Sequence, residues 1–284
     1  MLTAMATPFD ENGNVDTDGA RRLAAHLLEH GSHGLVVAAT SGELPTLTDE
    51  EEVLLLRAVR EEVGEDVLLV CGAGTNDTRH SCELTKMVAD AGADASLVVA
   101  PYYNKPNRAG LRAHFEAVAA AVPELPLIMY NIPSRVVINM PPDLLAELAT
   151  VDNIVAVKQA NDDELGPIDG LAVLAGNDNT FLRVLEFGGA GGITVASHVV
   201  GDQMREMWDA AQGGDLERAA ANDAELTPVF EGLSLTTNPI PSKAALEMLG
   251  LAPGRMRLPL VPVDAEQRAT VRAALEGIGL PVAS

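Results

Sequence analysis

Residues 154–160 read Ile154-Val155-Ala156-Val157-Lys158-Gln159-Ala160, a short apolar run that ends on a lysine. Its length and β-branched content fit a buried strand of a parallel sheet. Seven further runs share this character, so strands are predicted at 2–9, 34–40, 67–73, 95–101, 126–131, 154–159, 171–176 and 192–197. Between them, apolar residues recur at helical spacing over 16–30, 48–63, 77–91, 108–121, 142–148 and 179–188. Thr48 followed three residues later by Glu51 forms a capping-box signature at the start of one helix.

Eight βα units predict an α/β fold of the (β/α)8 TIM-barrel type in preference to a doubly wound open sheet. No dinucleotide glycine fingerprint follows the first strand, and no loop ends in Gly-Lys-Ser/Thr. The cluster Gly188-Gly189-Ala190-Gly191-Gly192 precedes a strand instead of opening a helix, so it reads as a tight turn and not as a phosphate loop. Residues 201–212 read as the last barrel helix. Helical patterns at 216–231, 242–249 and 264–277 then predict a C-terminal helical appendage. The expected organisation is a catalytic barrel over 1–214 with a helical segment over 215–284 packed on it.

The 284-residue chain carries 41 acidic and 19 basic residues, a net charge of -22, which argues against nucleic acid or an anionic membrane as partner. No apolar run approaches membrane-spanning length and the N-terminus shows no signal-peptide pattern, so a cytoplasmic protein is expected. Cys71 and Cys82 do not suggest a disulfide framework. The six histidines show no paired spacing with a catalytic glutamate between them, so no metal site is expected.

Fifteen of the basic residues are arginines and only four are lysines, yet one lysine stands at a strand end. Arginine stays charged, whereas a lysine in an apolar site can act as an amine nucleophile and form a Schiff base with a carbonyl. In a barrel the reacting groups sit at the C-terminal strand ends and the loops that follow. The second strand ends in Thr40-Ser41-Gly42-Glu43, the fourth in Pro101-Tyr102-Tyr103-Asn104, and the fifth in Tyr130-Asn131-Ile132-Pro133-Ser134-Arg135. All three tyrosines of a chain with 3% aromatic residues therefore lie at two such ends.

These motifs resemble those of the dihydrodipicolinate synthase family, also called 4-hydroxy-tetrahydrodipicolinate synthases. That family belongs to the pyruvate-dependent class I aldolases, with N-acetylneuraminate lyase. Ala39-Thr40-Ser41-Gly42-Glu43 is similar to its Gly-Thr-Thr-Gly-Glu loop, and Tyr130 to Arg135 to its Tyr-Asn-x-Pro-x-Arg segment. Lys158 falls on its Schiff-base lysine. Gly192-Ile193-Thr194-Val195-Ala196-Ser197-His198 and Asn238-Pro239-Ile240-Pro241 are also family-like.

The resemblance implies that Lys158 forms the imine with pyruvate, that Tyr130 and Thr40 carry protons, and that Tyr103 completes the relay of a neighbouring subunit. Backbone N–H groups at Thr40 and Ser41 would hold the pyruvate carboxylate, with the Ile193 carbonyl against the keto acid. Arg135 would bind the carboxylate of L-aspartate 4-semialdehyde. No cofactor is implied, and the expected assembly is a homotetramer built as a dimer of dimers. A pyruvate-releasing lyase acting on a sugar-acid-like 2-keto acid, or a noncatalytic keto-acid-binding barrel, stays open as an alternative.

Val136-Val137 stands where Thr-Gly commonly follows the arginine, Ala39 replaces a glycine, and Gln159 replaces a glutamate. Lysine-inhibited relatives hold the free amino acid with polar residues after the strand-two loop and an acidic residue on the third helix. Here Leu44, Pro45, Asp49, Glu52 and His80 occupy the matching positions, with Asn76 and Tyr102 retained. Weak or absent feedback by L-lysine is therefore expected.

Overall fold

Strand β2 (Gly34–Val37) shows how the barrel is built. Its side chains alternate, as a period of two requires: Val36 joins one apolar cluster while Leu35 and Val37 pack in another with Leu23, Leu27, Leu55 and Leu56 of the flanking helices. The next strand, β3 (Leu68–Gly72), repeats this with Val70 in the first cluster and Leu69 and Cys71 in the second. Both faces are covered, so these strands are apolar throughout and do not alternate with polar residues. Each fully buried leucine in these layers contributes ~1.5–3 kcal/mol.

The computed structural model describes residues 1–282. The remaining strands are β1 (Leu2–Ala4), β4 (Ala95–Val99), β5 (Leu127–Asn131), β6 (Ile154–Gln159), β7 (Ala172–Ala175) and β8 (Gly191–Thr194). All eight are parallel and close in sequence order, with β1 pairing both β2 and β8. The chain is a (β/α)8 barrel. Helices α1 (Thr17–Glu29), α2 (Asp49–Val63), α3 (Thr78–Asp90) and α4 (Arg108–Ala121) follow the first four strands. The one-turn α5 (Pro133–Val136) and α6 (Pro142–Leu148) follow β5, and α7 (Phe181–Glu186) and α8 (Gly201–Gln212) follow β7 and β8. Thr48 caps α2 with the expected capping box, its hydroxyl accepting from the Glu51 amide.

Several predicted elements were too long. The expected strand at 2–9 pairs only over Leu2–Ala4: the Met5 amide makes a last bond to the Val36 carbonyl at 2.9 Å, and Ala6 to Phe9 leave the sheet. Phe9 is fully buried and forms a short antiparallel bridge with Val15 instead. The expected helix at 179–188 divides into a single tight turn, Asp178–Thr180, and α7. Gly188 to Ala190 form a tight turn between α7 and β8: Gly188 has φ +80° and the Gly189 amide donates to the Val184 carbonyl at 2.8 Å.

Beyond α8, the turn at Gly213 and Gly214 leads into α9 (Leu216–Leu233), α10 (Ile240–Met248) and α11 (Ala265–Gly277). Helix α9 packs along α8, and α11 buries Val271 and Leu275 against α9 and α10. Among the described residues, no helix is long and apolar enough to cross a membrane.

Candidate active site

The C-terminal ends of β2, β5, β6, β7 and β8 open into a cavity of about 660 Å³ that contains Thr40, Tyr130, Arg135 and Lys158. Tyr130 and Lys158 are register partners on β5 and β6, so both side chains point to the same face of the sheet. The Lys158 Nζ lies 4.4 Å from the centroid of the Tyr130 ring. Lys158 is 3% exposed, yet no carboxylate among the described residues lies within ion-pair distance of it. The other buried lysine, Lys243, behaves in the opposite way: it is ion-paired with Glu43 and has no place in the cavity lining.

Ser41 and Ile193 stand apart from the cavity surface. Ser41 is buried and its Oγ accepts from the Asn238 Nδ2 at 2.9 Å. Ile193 is fully buried on β8, paired with Leu2 of β1, which leaves only its backbone to act. Tyr103 is 86% exposed with φ +68° and lies outside the cavity of its own chain. Arg135 is exposed on α5, where its Nη2 donates to the Asn238 carbonyl at 2.9 Å. It lies in the single turn of α5, in which Val136 is buried.

The loop after β2 is held in an unusual shape. Ala38 and Glu43 both adopt positive φ, at 48° and 59°, in a region that costs non-glycine residues of order 1–3 kcal/mol each. The Glu43 amide donates to the Thr40 carbonyl at 3.2 Å, and the Thr7 hydroxyl donates to the Gly42 carbonyl at 2.7 Å. A Cβ on Gly42 would meet the Ala38 backbone nitrogen at 3.0 Å, which explains a glycine at the tightest point.

Sequence reading missed two groups. The first is Asp178, just beyond β7, whose Oδ1 accepts from the Val195 amide at 2.8 Å and Oδ2 from the Ala196 amide at 3.1 Å. Burial pushes its carboxyl above the usual carboxylate range, while those two amides and the charge of Lys158 oppose the shift. Asp178 therefore fixes the end of β8 and places a carboxylate in the field of Lys158. The second is α9, which contributes Asp223, Thr227, Phe230 and Glu231 to the cavity wall, with its C-cap Ser234 beside them. Their three- and four-residue spacing was legible as one helical face, but a polar face reads as solvent-facing unless the packing partner is known.

A second hollow, about 310 Å³ and largely apolar, adjoins the first and shares Thr40, Ile132, Arg135, Thr237 and Asn238 with it. Gln159 is wholly buried beneath the site, its Oε1 accepting from the Asn131 Nδ2 at 2.9 Å and the Asn161 amide at 3.2 Å. That amide network ties β5 to β6 one residue past the Tyr130 and Lys158 pair.

The model of the dihydrodipicolinate synthetase family matches residues 1–278. The chain belongs to that family. A 4-hydroxy-tetrahydrodipicolinate synthase of Moorella thermoacetica is 47% identical, with 99% of this chain and 98% of the relative covered. Among solved structures, a lysine-bound dihydrodipicolinate synthase of Cyanidioschyzon merolae is 40% identical with a TM-score of 0.94, covering 99% of this chain and 98% of that one. A protein described as the first monomeric dihydrodipicolinate synthase variant is 34% identical with a TM-score of 0.92, covering 99% and 96%. The family reaction, 4-hydroxy-tetrahydrodipicolinate synthesis through a Schiff base in the lysine pathway, is the activity of this chain. Its substrates in the family are pyruvate and aspartate semialdehyde.

Proposed function

We propose that Lys158 is the amine that forms the Schiff base, and the observation that carries this reading is its unpaired, nearly buried Nζ beside Tyr130. The amine adds to the keto carbon of pyruvate and water leaves, giving an iminium. Loss of a methyl proton gives the enamine, which adds to the aldehyde carbon of L-aspartate 4-semialdehyde. The substrate's own amino group then displaces Lys158 and closes the ring. One water is released overall and the lysine is regenerated.

Each step moves a proton, and hydroxyls suit that work because they both donate and accept. Tyr130 and Thr40 line the same cavity as Lys158, which supports them as the carriers. The backbone at Thr40 and Ser41 holds the pyruvate carboxylate, and the Ile193 carbonyl faces the keto acid. Arg135, at the junction of the two hollows, takes the carboxylate of the aldehyde. The barrel 1–214 supplies the reacting groups, and the segment from 215 onward closes one wall of the site.

Tyr103 acts in the neighbouring subunit's site. Its exposure, its positive φ and the apolar hollow beside Thr40 support this reading, within a cytoplasmic homotetramer built as a dimer of dimers. Turnover of pyruvate with L-aspartate 4-semialdehyde tests the reaction, and Lys158→Arg must abolish it. Mixed Lys158→Ala and Tyr103→Phe chains, each inactive alone, should regain activity on reassembly. Failure in verified mixed dimers removes the shared site.

A further inference from the structure

Glu43 and Lys243 are 200 residues apart in sequence and 2% and 1% exposed. The Lys243 Nζ donates to Glu43 Oε1 and, at 2.7 Å, to the Arg255 carbonyl. Glu43 Oε2 accepts from the Arg257 amide at 3.0 Å. Below them lies the fully buried Phe9, with the Lys243 Nζ 4.3 Å and the Arg257 guanidinium carbon 4.6 Å from its ring centroid. The Arg257 side chain continues the cluster, donating to Gly13 and Thr46 carbonyls and to both Glu51 carboxylate oxygens.

A buried ion pair is a poor source of stability, because desolvation consumes most of the attraction and well-packed apolar residues serve as well. Its location gives it another use. Glu43 is the residue whose amide bonds the Thr40 carbonyl, and it sits in the left-handed region where glutamate does not rest unaided. Its side chain is gripped at both oxygens by the segment 243–257, so the grip fixes the backbone on which Thr40 and Ser41 stand.

We propose that Glu43 and Lys243 are positioning residues: their buried pair makes the C-terminal segment a template for the Thr40 loop. Neither group touches the reacting atoms. This rests on the role given to Thr40 above, and the parent enzyme's own imine trapping and turnover check that role separately.

The test uses two variants of the full chain. Glu43→Gln/Lys243→Met keeps volume and removes both charges together, so no unpaired charge is left buried. Glu43→Asp keeps the charges but draws the carboxylate back by one methylene, and aspartate tolerates positive φ better than glutamate. Both variants should melt within a few degrees of the parent. The kcat of each should fall at least tenfold, with KM for the aldehyde within twofold and Lys158 still trapped by borohydride with pyruvate. Parental kcat in either folded variant overturns the proposal. Loss of folding in both makes the pair a stability element only and overturns it equally. Absence of trapping in the parent would instead remove the reading of Lys158 and Thr40.

Discussion

The Tyr130 ring and the Lys158 amine occupy matched positions on adjacent strands, 4.4 Å from ring centroid to Nζ. Strand register alone secures this, because side chains at paired positions of a parallel sheet leave the same face. Tyr130→Phe keeps the ring and removes the hydroxyl. The expected outcome is a kcat lower by ~10²-fold or more, the usual scale for one positioned proton carrier, with the fold intact. Steady-state kinetics beside a melting curve checks it, and unchanged kcat would exclude Tyr130 from the relay.

Arg135→Ala should damage use of the aldehyde and spare the first half-reaction. A hydrogen bond to a charged group contributes ~1.5–3 kcal/mol, so a loss of roughly 10- to 100-fold in kcat/KM for L-aspartate 4-semialdehyde is expected. Borohydride trapping with pyruvate should proceed as in the parent. Equal loss in both measurements would mark the Arg135 contact with Asn238 as structural.

L-lysine should inhibit weakly or not at all. Both oxygens of Asp49 lie 3.0 Å from the His80 Nε2, so the two polar residues that flank the expected pocket are spent on each other. Leu44 and Pro45 add bulk without side-chain donors. Titration of initial rates should leave most activity at millimolar lysine, whereas cooperative inhibition below a millimolar would contradict this.

Glu52 is 2% exposed and its Oε2 has no hydrogen-bond partner. Burial, and then the nearby charge of Asp49, push its carboxyl from an ordinary 4.5 up to about 9. The folded chain thus holds a proton that the unfolded chain releases. The stabilisation is fully present below pH 4.5 and is lost as pH rises towards about 9. Glu52→Gln cannot ionise, so its melting temperature relative to the parent should rise between pH 5 and pH 9, by ~2 °C or more. A difference that does not change with pH would show that Glu52 is ionised in the folded chain.

Strand count, helix periodicity and the strand-end lysine made the barrel and the Lys158 position legible in the sequence, because parallel strands buried on both faces leave unbroken apolar runs. Strand lengths were not legible: Met5 to Phe9 are as apolar as a strand, but Phe9 is needed under the Lys243 and Arg257 cations. Asp178 was hidden because its task, accepting two amides across a turn from β8, leaves no local pattern. The wall from α9 and the Glu43 pair with Lys243 arise only when residues some two hundred positions apart meet. Arg135 was legible as a residue type, but its contact with the Asn238 carbonyl, 103 residues away, was not.

Of the four lysines, Lys158 alone should form the imine. Incubation with pyruvate, reduction by borohydride and peptide mass mapping locate the modified residue. One reduced adduct per chain on Lys158 is the predicted result, with Lys86, Lys105 and the buried, ion-paired Lys243 unmodified. An adduct on Lys243, or turnover without any adduct, would show that Lys158 is not the reacting amine.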